Sequence, residues 1–129
     1  MELPKEVQDG LKRSDAIWVD AGAAVVPSWF VWKNDHIYLL SQTQPGPEEQ
    51  TVPGLEPGVS EVEIITRRKG RETAGPGLRA SVRFLEPGDE WDAAAAMLVD
   101  RRRSRVGPPA DSIDRWRTTC RIAELTPIP

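Results

Sequence analysis

Residues 23–32, with the sequence AAVVPSWFVW, are apolar on both faces of the strand that they would form. One alternation contains Phe30 and Trp32, and the other contains Trp29. A half-exposed strand alternates between apolar and polar side chains, whereas a strand that is apolar on both faces is covered on both. Pro27 has no N–H to donate to a neighbouring strand, so we expect a bulge or an unpaired edge there. The sequence therefore predicts a strand that meets protein or ligand on both sides.

Tryptophan is unusually common among the aromatic residues of this chain. Five of the eight aromatic residues of the chain are tryptophans, and two of them are Trp29 and Trp32. They are three residues apart, so their side chains point to opposite faces of the strand. At most one of them therefore faces the interior of the domain. The other is explained either by a homodimer interface, where tryptophan is enriched, or by a flat aromatic slot for a planar ligand at that interface.

The rest of the chain alternates between short strands, turns and a few helices. A length of 129 residues fits a single domain, residues 1–129. Periodicity and turn residues predict helices at 4–14, at 90–103 and after a cap at Ser112, and strands at 16–20, 23–32, 36–42, 59–66, 78–84 and 119–125. We expect the fourth and fifth strands to pair, with Glu61 and Glu63 opposite Arg79 and Arg83. This order predicts a mainly β fold, a barrel of about six mostly antiparallel strands with the helices packed outside it.

Charge and cysteine content exclude several classes of protein. Lys and Arg number 17 and Asp and Glu number 20, which gives a formal net charge of −3. This balance argues against binding to a nucleic-acid backbone or to an anionic membrane. One cysteine and one histidine are too few for an intramolecular disulfide or a Cys/His zinc cluster. No leader sequence or apolar stretch of spanning length is visible, so we expect a cytoplasmic protein without a metal site.

The residues that usually carry catalysis are sparse. His36 follows a hairpin turn with no serine or cysteine near it in sequence, and we expect it to be exposed to solvent. Cys120 lies in the last predicted strand, where the role of a small buried hydrophobic residue is favoured over that of a nucleophile. Glu48 and Glu49 lie in the Pro/Gly-rich loop 43–58, and we expect both carboxylates to be solvated. The sequence alone identifies no catalytic residue.

Two basic clusters have two interpretations. Residues 67–71, RRKGR, lie at a predicted hairpin tip, and residues 101–105, RRRSR, follow a predicted helix. The simpler interpretation is a solvated turn and a helix end whose cations complement the helix dipole. The alternative is a phosphate site, because several cations that converge at a turn can hold a terminal phosphate.

The strand at 23–32, followed by NDHIYLLS at 34–41, resembles the flavin-binding split-barrel family, the pyridoxamine 5'-phosphate oxidase-like group, in its short actinobacterial form. That family places a V-x-P-x-W-F-x-W strand before a tight turn and an I/L-Y-x-x-S/T strand. Residues 121–127, RIAELTP, are similar to its last strand. The resemblance implies a split β-barrel that forms a homodimer with two cofactor sites between the subunits.

The resemblance also implies a cofactor, either FMN or a deazaflavin coenzyme, which would carry out hydride transfer while the protein orients it. Five residues correspond in position to the site. Three of them would line the flavin ring and two would approach the phosphate or ribityl group, namely Pro27, Ser28 and Trp29, and Ser41 and Gln42.

The chain departs from the family where the phosphate would bind. Flavin-binding members have an Arg/Lys pair and an Asn after the second strand, where this chain has TQPGPEEQ at 43–50. Glu124 likewise replaces an arginine of the last strand. Carboxylates at this position repel a phosphate dianion. Either Arg67, Arg68 and Lys69 supply the cations from elsewhere in the chain, or the chain does not bind FMN in the family's usual way.

Two functions remain open from the sequence. The first is a flavin- or deazaflavin-dependent oxidoreductase that acts on a small molecule. The second is a cofactor-free split-barrel dimer that binds another ligand or partner, with the loop 43–58 as a lid or plug. Whether the protein is an enzyme depends on the choice between them, because a fold does not dictate a function.

Overall fold

A computed structural model of the chain describes residues 5–13, 16–44, 49–67, 74–101 and 108–128, and these contain seven strands and three helices. In chain order the elements are α1 (Lys5–Arg13), β1 (Ala16–Asp20), β2 (Val25–Trp29), β3 (Val31–Lys33), β4 (His36–Gln42), β5 (Glu61–Arg67), β6 (Ala74–Phe84), α2 (Asp89–Arg101), α3 (Pro109–Thr119) and β7 (Cys120–Ile128). All strand pairs are antiparallel, and the strands have the order β2-β1-β5-β6-β7-β4-β3. The predicted mainly β fold with helices is confirmed.

The two edge strands of the sheet, β2 and β3, are separated in the chain by Phe30 alone. β2 pairs with β1 at one end of the sheet and β3 pairs with β4 at the other, so the sheet curls until its edges meet. Phe30 is buried and belongs to the interior core. The single predicted strand 23–32 is therefore two strands, one at each edge of the sheet. Its division at Phe30 is why the structure has seven strands where six were predicted. The result is a split β-barrel.

Local signals in the sequence account for the strands on either side of this division. Asn34 and Asp35 have φ values of 53° and 63°, the left-handed conformation that both central residues of a type I′ hairpin turn adopt. They join β3 to β4 as predicted. Pro27 lies within β2, which has a neighbouring strand on one side only, and this is the unpaired edge that the proline indicates.

Two apolar clusters cover the two faces of the curled sheet. The interior cluster draws on all seven strands, while the outer cluster joins α2 and α3 to the outward side chains of the sheet. β4 contributes to both, with Leu39 facing inward and Leu40 facing outward. The prediction that helices pack outside the barrel is correct for α2 and α3. It is wrong for α1, whose Val7 and Leu11 belong to the interior cluster.

The ends of the helices differ slightly from the prediction. α3 begins at Pro109, three residues before the predicted cap, because proline at the first helical position needs no partner for an N–H. Ser112 is instead a buried residue within the helix. None of the three described helices combines the length and apolar character that crossing a membrane requires.

The predicted charge pairs on β5 and β6 are partly correct. Arg79 donates a hydrogen bond to Glu61 at 3.0 Å. Arg83 does not pair with Glu63 as expected, because the register of β5 and β6 places Glu63 opposite Arg79. On its other side, Arg83 lies opposite Glu124 of β7. The Arg83 guanidinium donates two hydrogen bonds to Glu124, at 3.2 and 3.1 Å.

Candidate functional site

The barrel opens between β2 and β4. β3 pairs with β4 up to Val31. Continuing the same register would place Trp29 opposite Leu40, but the ladder stops before that position. We call the gap between residues 27–29 and residues 40–42 the split.

The side chain of Gln50 bridges the split. Its Oε1 accepts a hydrogen bond from the N–H of Trp29 at 3.0 Å. Its Nε2 donates to the carbonyl of Trp29 at 3.0 Å and to the carbonyl of Leu40 at 2.8 Å. One amide side chain therefore joins the two strands at the position where backbone pairing between Trp29 and Leu40 is missing.

Ser41 and Gln42 hold the same part of the loop against β4. Ser41 Oγ accepts a hydrogen bond from the N–H of Val52 at 2.9 Å. The backbone N–H of Gln42 donates to the carbonyl of Gln50 at 2.8 Å. The side-chain Oε1 of Gln42 accepts a hydrogen bond from the N–H of Glu49 at 3.1 Å. Residues 49–52, which we call the inner segment, therefore line the split along β4.

Glu49 anchors the inner segment to α3. Its side chain is 0% exposed, and its Oε2 accepts hydrogen bonds from the guanidinium of Arg115 and the indole N–H of Trp116, both at 2.9 Å. A buried carboxylate is tolerated when it is paired and hydrogen-bonded in this way. The expectation of a solvated carboxylate is therefore wrong for Glu49, whereas Glu48 lies outside the described residues.

The three predicted ring-lining residues lie on β2, across the split. Pro27 is exposed, Ser28 is buried and Trp29 is half-buried. Trp29 and Trp32 face opposite sides as predicted, since Trp29 packs in the outer cluster and Trp32 against the interior one. The ring of Trp29 lies 6.5 Å from that of Trp116, centroid to centroid. Trp116 of α3, in the same chain, therefore packs against the outward tryptophan, which remains half-buried.

The predicted phosphate cations stay a prediction. Arg67 is the last residue of β5, which β1 separates from β2 in the sheet. Arg68 and Lys69 lie outside the described residues, as do residues 102–105 of the second basic cluster.

Three buried donor atoms around the split have no hydrogen-bond partner among the described residues. They are Ser28 Oγ, Thr51 Oγ1 and Arg115 Nε. A buried polar group without a partner costs about 1–3 kcal/mol of stability. The inner segment therefore closes the split without satisfying every polar group that it covers.

A separate pocket of about 230 Å³ lies on the outer face of the barrel, and we call it the outer pocket. It is bounded by the β3–β4 turn, by one face of α2 and by the outward side chains of the sheet. Its lining consists of Lys33, Asn34, Tyr38, Leu85, Glu90, Ala93, Ala94, Met97 and Glu124.

Hydrogen bonds fix the polar side of the outer pocket. The hydroxyl of Tyr38 donates to Glu124 at 3.1 Å, and Arg83 bonds to both Glu124 and Glu90. Burial and the negative charge of Glu124 raise the pKa of Tyr38. Burial opposes ionisation of Glu124, but the hydrogen bonds from Arg83 and Tyr38 outweigh it and lower the pKa of that carboxyl. Tyr38 is therefore held neutral and Glu124 is held ionised.

Cys120 and His36, the two residues considered as a possible nucleophile and base, both make contacts within the fold. Cys120 is buried in the outer cluster, as predicted. His36 is half-buried rather than exposed, because its Nδ1 shares a hydrogen bond with Thr126 Oγ1 at 2.9 Å and its ring lies edge-on to that of Tyr38. Neither residue is placed as part of a catalytic triad in the described structure.

Sequence reasoning missed the residues that close the split. Gln50 was an ordinary polar residue of a loop, and Arg115 an ordinary cation of a helix. Their partners lie 10 to 66 residues away in sequence, so no local pattern reveals them. The one available signal was the pair of carboxylates at 48–49, which stands where the resembling family has cations.

Comparison with known proteins places the fold but gives no relative by sequence. No protein-family profile matches the chain, and no curated protein matches it significantly in sequence. Solved structures do match in fold. HutZ, a heme storage protein from Vibrio cholerae, aligns with a TM-score of 0.64 and 16% identity over 100% of this chain and 92% of HutZ.

Two further structures have the same fold. A candidate 5-nitroimidazole antibiotic resistance protein from Bacteroides thetaiotaomicron aligns with a TM-score of 0.66 and 16% identity, over 100% of this chain and 82% of that protein. ChuZ from Campylobacter jejuni aligns with a TM-score of 0.58 and 16% identity, over 95% of this chain but only 51% of ChuZ. At such low identity these similarities establish the fold alone. The split barrel implied by the sequence resemblance is confirmed, and flavin binding stays a prediction.

Proposed function

We propose that this protein is a split-barrel ligand-binding module that does not take up FMN in the way the sequence resemblance implies. One observation carries the proposal. The inner segment occupies the split and engages the residues that would otherwise face a cofactor there, because Gln50 bonds to Trp29 and Leu40. Of the two functions left open by the sequence, this is the cofactor-free one, with the loop as a plug.

The polar groups around the split do not fit a flavin phosphate. Ser41 Oγ already accepts a hydrogen bond from Val52, and both ends of the Gln42 amide are bonded within the loop. Glu49, in the inner segment, is buried, and one end of the Arg115 guanidinium, its Nη2, is bonded to that carboxylate. A phosphate dianion would have to displace this pair and would be repelled by the carboxylate left behind.

The unsatisfied donors favour a ligand-binding role over a purely structural one. Ser28 Oγ, Thr51 Oγ1 and Arg115 Nε are all buried around the inner segment without a partner among the described residues. Such atoms raise the free energy of the closed state, so a small ligand or water that accepts hydrogen bonds from them lowers it. This supports binding of a compact polar ligand rather than a flavin ring.

We also propose that the module is a homodimer, joined through the outer face of β2 and β1. Val25 is 53% exposed, and Pro27 beside it is also exposed. The register places Pro27, Trp18 and Ile65 side by side on this outer face, across β2, β1 and β5. Apolar surface of this kind is typical of a protein interface, and the neighbouring row of this face places Val25 beside the carboxylates Asp20 and Glu63.

Heme is a second ligand to test, because HutZ is a heme storage protein. His36 is the only histidine of the chain, and its Nδ1 is engaged with Thr126. His36 does not line the outer pocket, which at about 230 Å³ is smaller than the roughly 300–1,000 Å³ of pockets for drug-sized ligands. We therefore expect hemin to give the same Soret spectrum with the His36→Ala variant as with the wild type.

Titration with flavins tests the main proposal. Purified protein is titrated against FMN and a deazaflavin coenzyme at up to about 50 μM, with flavin fluorescence and absorbance near 450 nm as readouts. A colourless preparation and unchanged fluorescence are expected. The variant Gln50→Ala, which removes the three bonds across the split, tests whether the inner segment is the cause. Saturable binding of either coenzyme to the wild-type protein would refute the proposal.

A further inference from the structure

The outer pocket has one apolar wall, formed by a single helical stripe. Ala93, Ala94 and Met97 follow Glu90 at helical spacing, so they lie on one face of α2. Leu85 closes the apolar side from the end of β6. The wall is small and smooth, with a flexible thioether that adapts to the shape of a ligand.

The polar side of the pocket is made of hydrogen-bond acceptors. Tyr38 donates its only O–H to Glu124, so the phenol oxygen offers only lone pairs to a ligand. The carboxyl groups of Glu124 and Glu90 both accept hydrogen bonds from Arg83, which lies outside the pocket lining. An acceptor-lined surface is complementary to a ligand with several N–H donors, and an ammonium group supplies three.

The β3–β4 turn adds a group of the opposite kind. Lys33 carries an ammonium and Asn34 a carboxamide whose NH₂ is a donor, and both line the pocket. Asn34 is held there by its left-handed conformation in the turn, with φ of 53°. The turn is therefore complementary to an anionic group of a ligand. Tyr38 and the two carboxylates are complementary to a cationic group of the same ligand.

We propose that the outer pocket binds a small zwitterion of the amino-acid class. Its ammonium group lies against Tyr38, Glu90 and Glu124, its carboxylate lies toward Lys33, and its apolar side group packs on Met97. The volume of about 230 Å³ suits a ligand below drug size. The inference rests on the proposed function only in treating the chain as a ligand-binding module, and the split takes no part in it.

Three probes that share one apolar group test this assignment. They are L-phenylalanine, with both charges, phenethylamine, with the ammonium only, and 3-phenylpropionate, with the carboxylate only. The readout is the ¹³C-methyl spectrum of the methionines of the full chain, because Met97 lines the pocket and Met1 supplies the second signal. We expect the Met97 signal to shift saturably with L-phenylalanine, at a higher concentration with phenethylamine and least with 3-phenylpropionate.

Two variants separate the charged contacts. Lys33→Gln is expected to weaken L-phenylalanine about fivefold or more while leaving phenethylamine unchanged or tighter, since a like charge is removed. Glu90→Gln is expected to weaken both probes, and the exposed Glu56→Gln, in the loop before β5, is the matched control. Equal binding of all three probes, or an unmoved Met97 signal at millimolar L-phenylalanine, overturns the assignment. Either result leaves the flavin titration unaffected, so the two proposals fail separately.

Discussion

Ser28 and Ser41 occupy equivalent positions on the two sides of the split, but their hydrogen bonding is opposite. Continuing the register of β3 and β4 would place them face to face. Ser41 Oγ accepts a bond from Val52, whereas Ser28 Oγ is buried without a partner among the described residues. Replacing each serine by alanine therefore compares a hydroxyl that stabilises the fold with one that destabilises it.

We expect Ser41→Ala to lower the free energy of unfolding by about 1–3 kcal/mol, because the buried N–H of Val52 loses its acceptor. Ser28→Ala is expected to be neutral within about 0.5 kcal/mol, or stabilising, because it removes an unsatisfied group. Urea unfolding of both variants measures the difference. Equal destabilisation by the two changes would contradict the hydrogen bonding described for the split.

Tyr38 is the only tyrosine in the chain, so its ionisation can be followed alone. Burial and the charge of Glu124 raise its pKa, and we expect the phenolate absorbance at 295 nm to titrate above the ordinary value of about 10. Because the pKa of Tyr38 is raised in the folded state, its neutral phenol contributes stability at pH values below the ordinary pKa. This contribution is lost as the pH rises through the raised pKa of the folded state.

Glu124→Gln provides the control for this titration. It removes the charge but leaves Tyr38 in its half-buried position, so the midpoint is expected to move down toward the ordinary value. Asp20→Asn, on the far strand β1, is expected to leave the midpoint unchanged. A wild-type midpoint at or below the ordinary value would show that Tyr38 is not held neutral by Glu124.

At the scale of elements, the loop that follows β4 is fixed at both ends. The inner segment is bound to β4 and α3. Gly54 packs against Ala21, in the turn that follows β1. Gly54 has φ of 85°, and a Cβ there would lie 2.7 Å from the carbonyl oxygen of Ala21. Gly58 also has a positive φ, of 106°, but a Cβ there would meet open space.

We therefore expect Gly54→Ala to be more destabilising than Gly58→Ala. Both changes carry the strain of a left-handed backbone, about 1–3 kcal/mol, but only the first adds a collision with another backbone segment. Thermal unfolding of the two variants measures the difference. If Gly58→Ala is equally or more destabilising, the loop does not pack on Ala21 as described.

The elements that local signals determine were predicted well, and those that depend on distant partners were not. β4 runs from His36 to Gln42 as expected, because Asn34 and Asp35 mark the turn before it. The division of β2 from β3 at Phe30 was not predicted, since the apolar pattern continues through it and only the pairing with β1 and β4 creates it. Burial of Glu49 was missed for the same reason, because Arg115 lies on a helix 66 residues later.

For the protein as a whole, we predict a dimer held by the exposed face of β2. Val25 is more than half exposed in the single chain, so Val25→Asp should leave the fold intact while placing a charge in the interface. We expect the mass by light scattering to fall from twice 14.3 kDa to 14.3 kDa. Ile128→Asp, at the other exposed large hydrophobic residue, is the control and should stay dimeric. A monomeric wild type, or a Val25→Asp dimer, would contradict the proposed interface.

The proposed function depends on the inner segment occupying the split of its own chain. Hydrogen exchange at two groups tests this occupancy. The backbone N–H of Trp29 bonds to the side chain of Gln50, and the side-chain NH₂ of Gln50 bonds to the carbonyl of Trp29. Recorded by ¹⁵N NMR with and without FMN, both are expected to exchange slowly and to keep their chemical shifts in the presence of the flavin. Rapid exchange of both groups, or a shift of their signals that saturates with FMN, would show that the split is open and available to the cofactor.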